Sequence, residues 1–271
     1  MFYNKVKESA DFILSKTSQR PKIGVILGSG LGGLVDFMEN KEIIPYSDIP
    51  NFPQSTVKGH AGNMVLGTIG SQSIIAMQGR FHYYEGFTMK EVAYPVYVMK
   101  LLGVENIIVT NACGAINDTF KPGDLMIIED YINMWGNNPL IGPNDERFGV
   151  RFPDMSEPYS KELIGKALSA SEKIGIECKK GVYALFSGPC FETAAEIRAY
   201  KILGADVAGM STVPETITAN YLGMKVFGLS CITNMATGIA KVKHSHEDVL
   251  RIANKSSEKL CNLVKEMLIN W

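Results

Sequence analysis

The sequence predicts an α/β fold in a single domain over residues 1–271, and three observations lead there. Short apolar runs rich in Val, Ile and Leu alternate with segments whose apolar residues recur at helical spacing. Loops rich in Gly, Ser, Thr and Asn follow several of those runs, at the strand ends where α/β folds place ligands. A hydrophobic content of 46% in 271 residues is enough to bury a substantial core without forcing a split into two domains.

In chain order, Val6, Ala10, Ile13 and Leu14 mark a helix over 4–18, and Pro21 keeps it from continuing. Residues 22–27 (KIGVIL) read as a buried strand closed by the glycine-rich 28–33. Further strands are expected at 64–69, 73–77, 106–110, 124–128, 182–186 and 225–233. Helices are expected at 88–102, 161–173 and 193–203, and from Ser245 to the C-terminus, with Ser245 as N-cap and Glu247 and Asp248 in the first turn. The alternation implies helices covering a mostly buried sheet. The longest irregular stretch, 133–158, holds Trp135, Phe148 and Phe152, and aromatics in so long a loop point to a binding or interface element.

Composition narrows the function. Lys and Arg total 27 against 28 Asp and Glu, a net charge of -1, so there is no basic field to drive binding to nucleic acid or to an anionic membrane. Any phosphate recognition must therefore be local. Cys113, Cys178, Cys190, Cys231 and Cys261 are scattered, odd in number and in neither CxxC nor zinc-ligand spacing, which fits packing roles in a reducing cytoplasm. The N-terminus lacks a signal-type apolar stretch and no segment approaches about 18 uninterrupted apolar residues, so a soluble cytoplasmic protein is expected.

The chemistry concentrates in a few loops. Residues 28–33 (GSGLGG) satisfy GxGxxG after a strand; the glycines let backbone N–H groups approach an anion and Ser29 adds a donor, with a tight strand-to-helix turn as the plainer alternative for the motif alone. No Gly-Lys-Ser/Thr follows, so it is not a Walker A loop. Residues 59–62 (GHAG) bring His60, and 78–86 (QGRFHYYEG) bring Arg80, a forked cation suited to phosphate, His82 as a nearby donor, and Glu85 to orient or charge that histidine. Arg80 pairing with a surface carboxylate and His82 as a core histidine are the bland alternatives. Residues 110–115 (TNACGA) should form a loop after their strand. Residues 188–193 (GPCFET) set Phe191 beside Glu192, a pairing that suits a flat heterocycle with an N–H, although a core phenylalanine and a helix-dipole glutamate would look the same. Residues 209–215 (GMSTVPE) lead into a helix, Thr233-Asn234 ends a strand, and His246 lies in the first turn of the last helix.

Taken in this order, GSGLGG, GHAG, QGRFHYYEG, TNACGA, GPNDERFG, GPCFET, GMSTVPE and ITN resemble the trimeric purine nucleoside phosphorylase and methylthioadenosine phosphorylase family, from about residue 22 to 250. The resemblance implies a mixed, partly barrel-like sheet flanked by helices, no metal and no organic cofactor, with inorganic phosphate as co-substrate. It implies phosphate binding by Ser29, Arg80, His82, Ser211 and the Ala112 backbone N–H, with His60 nearby and Glu85 supporting His82. Ribose would meet Tyr84, Met210 and His246, and Phe148 contributed across the boundary of a homotrimer, since a loop aromatic would be poorly buried in one chain. The purine would stack near Phe191, with Glu192 and Asn234 on its polar edge.

The residue chemistry agrees. Cleaving the C1′–N9 bond develops positive charge on the sugar and negative charge on the base, so a phosphate held beneath the ring both attracts and attacks the cation. Asn234 could accept N7–H and donate to O6, and Glu192 could accept the N1–H of hypoxanthine or guanine but not of adenine. Methylthioadenosine phosphorylases typically carry Asp at the position of Asn234 and lack counterparts of Glu192 and His246, so phosphorolysis of inosine and guanosine is expected first and a methylthioadenosine phosphorylase-like activity second. Family members commonly show Ala-Gly-Gly where this chain has Cys113-Gly114-Ala115, so Ala115 would be strained if that position needs positive φ. Two other classes compete: a nicotinamide-dependent oxidoreductase, which needs an acidic residue ending a second strand in a βαβ unit, near Asp48, and a non-catalytic nucleoside sensor.

Overall fold

Strand β1 (Ile23–Leu27) is buried along its whole length and lies between two parallel neighbours, β4 (Gln72–Gln78) and β5 (Asn106–Ala115). A computed structural model describes residues 1–56, 61–239 and 245–271. The described strands form one mixed sheet in the order β2-β3-β4-β1-β5-β8-β7-β6-β9. The added strands are β2 (Glu39–Pro45), β3 (Asn63–Ile69), β6 (Leu125–Asn133), β7 (Cys178–Leu185), β8 (Val207–Gly209) and β9 (Lys225–Met235). Because β9 also pairs with β5, strands β5, β8, β7, β6 and β9 close into a barrel, and β1 to β4 extend from it as an antiparallel-edged wing.

The helices cover this sheet. Helix α1 (Phe2–Lys16) buries Val6, Ala10 and Ile13. The segment expected as one helix over 88–102 is two, α2 (Met89–Val92) and α3 (Tyr94–Leu101), with Pro95 in the first turn of the second, where its missing N–H costs nothing. Helices α4 (Lys161–Lys173), α5 (Ala194–Ile202), α6 (Val213–Tyr221) and α7 (His246–Ile269) follow. Ser245 caps α7 as expected, accepting from the Asp248 N–H, and Leu260, Leu263, Val264 and Leu268 of that helix are fully buried.

Every expected strand forms, but three run further than their apolar cores. Strand β5 continues through the residues read as a loop, because β9 pairs with it to Ala115 and β8 takes over its other edge at Gly114 and Ala115. Ala115 is therefore an ordinary buried strand residue outside the left-handed region, and the expected strain is absent. Strand β2 was hidden by its polar, mostly exposed sequence, and β8 by its length of three residues.

After β1 the chain makes a 3₁₀ turn (Gly32–Phe37) and enters β2, which is antiparallel to β3, while Asp48 lies in a second 3₁₀ turn. There is no βαβ unit here, which removes the dinucleotide reading of GSGLGG. Cys113, Cys231 and Cys261 pack in the interior as expected, whereas Cys190 is exposed. Among the described residues, no helix is long and apolar enough to cross a membrane.

Candidate active site

The site sits where β5 changes partners. Its pairing with β1 ends at Val109 opposite Ile26, its pairing with β8 begins at Gly114, and the intervening edge opens onto a cavity of about 330 Å³. At this fork the Thr110 hydroxyl donates to the Ile26 carbonyl and accepts from the Gly28 N–H, both at 3.1 Å, tying the glycine loop to β5. A Cβ on Gly28 would fall 2.8 Å from the Thr110 carbonyl oxygen, so only glycine allows this approach.

Arg80 follows β4 and its side chain is sunk in the protein, 1% exposed. Its Nη1 donates to the Thr110 carbonyl at 2.7 Å and to Ser211 Oγ at 3.1 Å, and its Nε to Glu215 Oε1 at 3.0 Å. The pairing with a surface carboxylate weighed from the sequence does not occur; the partner is a buried glutamate. Arg80, Ser29, His82, Ala112 and Ser211 all line the same cavity.

His82 is also buried, and its ring stacks on Tyr84 with centroids 4.7 Å apart and planes 15° from parallel. Its Nδ1 lies 3.1 Å from Glu85 Oε1. Burial lowers the imidazole pKa, and the Glu85 hydrogen bond opposes that only in part. Burial also disfavours the Glu85 carboxylate, but hydrogen bonds from His82 and from the Thr56 main chain and hydroxyl outweigh it and hold the pKa at about 2. An ionised carboxylate only accepts, so His82 carries its proton on Nδ1.

The remaining expected residues arrive from other strand ends. Tyr84, Met210, Phe191, Glu192 and Asn234 line the cavity beside the Arg80 group. Burial pushes the Tyr84 hydroxyl pKa up to about 12, so it stays protonated, and burial raises the Glu192 carboxyl pKa from its ordinary value. Asn234, at the end of β9, accepts from Thr233 Oγ1 at 2.9 Å and donates to the Met235 carbonyl at 3.3 Å. Its amide abuts Gly114, where a Cβ would meet Asn234 Nδ2 at 2.9 Å.

Three expected residues stand differently. His60 and the side chain of His246 lie outside the described residues; the His246 backbone opens α7, three residues before Val249, which lines the cavity. Phe148 does not line it, and the premise that it would be poorly buried in one chain is wrong. It is 9% exposed and packs against Phe2, Tyr3 and Tyr97 at centroid distances of 6.1, 5.2 and 4.9 Å, because α1 folds over the long loop. The exposed ring of that loop is Phe152, at 86%. Sequence reading gave no role to Thr110, Thr212, Gly114 or Glu215, each of which fixes a group lining the cavity.

Comparison with known proteins gives a consistent result. The sequence profile described as the phosphorylase superfamily matches residues 22–269. Purine nucleoside phosphorylase 1 of Geobacillus stearothermophilus is 52% identical over 98% of this chain and 97% of its own. The Bos taurus purine nucleoside phosphorylase is 47% identical over 98% and 94%. Among solved structures, Schistosoma mansoni purine nucleoside phosphorylase in complex with inosine superposes with a TM-score of 0.94 at 40% identity, covering 99% of this chain and 96% of that one.

Proposed function

The chain belongs to the phosphorylase superfamily, among its purine nucleoside phosphorylases, and on that premise we propose that it splits 6-oxopurine nucleosides, inosine and guanosine and their 2′-deoxy forms, with inorganic phosphate. Phosphorolysis of a purine nucleoside to the free base and the sugar 1-phosphate is its reaction. The observation that carries the finer reading is one cavity lined both by Arg80, His82, Ser29 and Ser211 and by Phe191, Glu192 and Asn234.

In this reading phosphate lies against Arg80, Ser29, Ser211, the Ala112 backbone and, from the family pattern, His60. Neutral His82 holds its Nδ1–H on Glu85, so Nε2 accepts a hydrogen bond from the P–OH of a hydrogen phosphate dianion and turns its charged oxygens toward Arg80 and the sugar. Leaving-group charge is met at the base. Asn234 Oδ1 and Nδ2 each use part of their capacity on Thr233 and Met235, which leaves one acceptor site for N7–H and one N–H for O6. Glu192 accepts N1–H, Phe191 stacks on the purine, and Tyr84, Met210 and, from the family pattern, His246 hold the ribose. Phosphate is the nucleophile and Arg80 supplies the fixed positive charge, so the reading uses no metal, no organic cofactor and no protein nucleophile.

A homotrimer completes the proposal. Met134, Ile141, Val150 and Phe152 of the long loop are 64%, 62%, 67% and 86% exposed, an apolar set that supports contact with another copy of the chain. Phe152 rather than Phe148 is the ring free of its own core, so it takes the role across the boundary first given to Phe148. The charge balance supports the reading that nucleic acid is not a partner, and five free thiols support a cytoplasmic location. Initial rates with inosine, guanosine, adenosine and methylthioadenosine at saturating phosphate test the substrate class: kcat/KM should be highest for the first two, and equal or better use of adenosine would refute it.

A further inference from the structure

Glu215 is the third residue of α6, a helix whose other positions are mostly small or apolar, and its side chain is 2% exposed. Its Oε1 accepts from Arg80 Nε at 3.0 Å, while Oε2 is buried with no hydrogen-bond partner among the described residues. A buried ion pair loses in desolvation much of what it gains in attraction, and an unsatisfied oxygen adds to that cost, so stability alone is a poor reason for this carboxylate. The turn that presents it is strained as well. Thr212, β-branched, sits at φ 74° just before α6, and its hydroxyl is within 3.0 Å of Asn111 Nδ2, 3.2 Å of Ser211 Oγ and 3.4 Å of Arg80 Nη1. The Ser211 main-chain N–H donates to Tyr183 Oη at 3.3 Å. Strain held by so many bonds in one place marks a segment whose position matters.

We propose that Glu215 is a positioning residue for the phosphate site: by gripping the Nε edge of Arg80, it fixes the guanidinium plane so that Nη1 faces Thr110 and Ser211 and the group meets phosphate in one orientation. This rests on the reading that Arg80 binds phosphate. What matters is the reach of the side chain to Nε, more than its charge.

Two conservative variants separate reach from charge. Glu215→Gln keeps an acceptor at the same distance and loses the charge; Glu215→Asp keeps the charge and is one methylene short. At saturating inosine, the Asp variant should lose about tenfold or more in kcat/KM for phosphate and the Gln variant no more than roughly threefold, with inosine KM within about twofold of wild type in both. Three results overturn the proposal: Asp performing as well as Gln or better, neither variant changing the phosphate parameters, or inosine KM rising in step with phosphate KM, which is the mark of a general structural role. Should the Asp variant fail to fold by circular dichroism, a loss beyond about tenfold in folded Glu215→Gln overturns it, and retention within threefold supports it. Arg80→Ala, assayed alongside, keeps the two claims apart. Unchanged phosphate kinetics there would sink the phosphate-site reading itself, whereas a loss there with none in Glu215→Asp would sink only this inference.

Discussion

Glu85 Oε1 accepts both the main-chain N–H of His82, at 2.8 Å, and the His82 ring, whose Nδ1 lies 3.1 Å away. The other carboxylate oxygen takes the Thr56 N–H and hydroxyl at 2.7 and 2.8 Å. One side chain thus sets both the direction and the tautomer of a buried imidazole.

Because the folded-state pKa of Glu85 is depressed, from 4.5 to about 2, its contribution to stability is present above about pH 4.5 and is lost as pH falls toward 2. Glu85→Gln leaves a Thr56 N–H facing an amide NH₂, so the variant should melt lower than wild type at pH 7. Melting curves from pH 6 down to 3 should show that gap narrowing as the wild type loses its advantage. A gap that stays constant with pH would mean the carboxylate charge is not what these bonds use.

Base choice should turn on Asn234. Replacing it by Asp opposes a carboxylate to the 6-oxo group while offering an acceptor to the 6-amino group of adenosine. An unpaired buried polar group costs about 1–3 kcal/mol, roughly tenfold to a hundredfold in relative kcat/KM. The adenosine-to-inosine ratio of specificity constants should rise in Asn234→Asp, even if Glu192 keeps adenosine activity low in absolute terms. An unchanged ratio would remove Asn234 from the reading of position 6.

Gly114 should matter through the same amide. Its φ lies outside the left-handed region, so alanine suits the backbone, but the added Cβ would stand 2.9 Å from Asn234 Nδ2 and the amide must move. Gly114→Ala is expected to lower inosine kcat/KM about tenfold with phosphate KM nearly unchanged. Equal damage to both substrates would point to a disturbed barrel instead.

The two loop phenylalanines should separate cleanly. Phe148→Ala removes a ring buried by α1 and should destabilise the fold by about 3 kcal/mol or more. Phe152, 86% exposed, has little to lose in its own chain. Its alanine variant should instead weaken self-association in sedimentation and raise inosine KM. A fully trimeric Phe152→Ala enzyme with unchanged KM would contradict the shared-site proposal.

Much of this was legible in the residues because the signals are local. KIGVIL announces a buried strand, Ser245 caps its helix, and the order of Arg80, His82 and Glu85 within one short motif fixes a network made by neighbours. What escaped depends on distant partners. TNACGA looks like a loop until β8 and β9 pair with it, and Phe148 looks exposed until α1 covers it. Glu215 reads as an acidic residue in the first turn of a helix, placed for the dipole; its partner is 135 residues away, and the only hint is a carboxylate in an otherwise small and apolar helix. The glycine spacing of GSGLGG also fits a dinucleotide motif, but the chain leaves it through a 3₁₀ turn rather than a helix and enters β2, which pairs with β3 and not with β1.

The central claim is that a fixed anion site built on Arg80 delivers phosphate to the nucleoside, and product analysis of inosine cleavage with and without phosphate tests it directly. With phosphate, hypoxanthine and ribose 1-phosphate should appear in equal amounts; without it, cleavage should all but stop, and arsenate should restore it. Free ribose released from inosine at a comparable rate in phosphate-free buffer would contradict the account and identify water as the nucleophile.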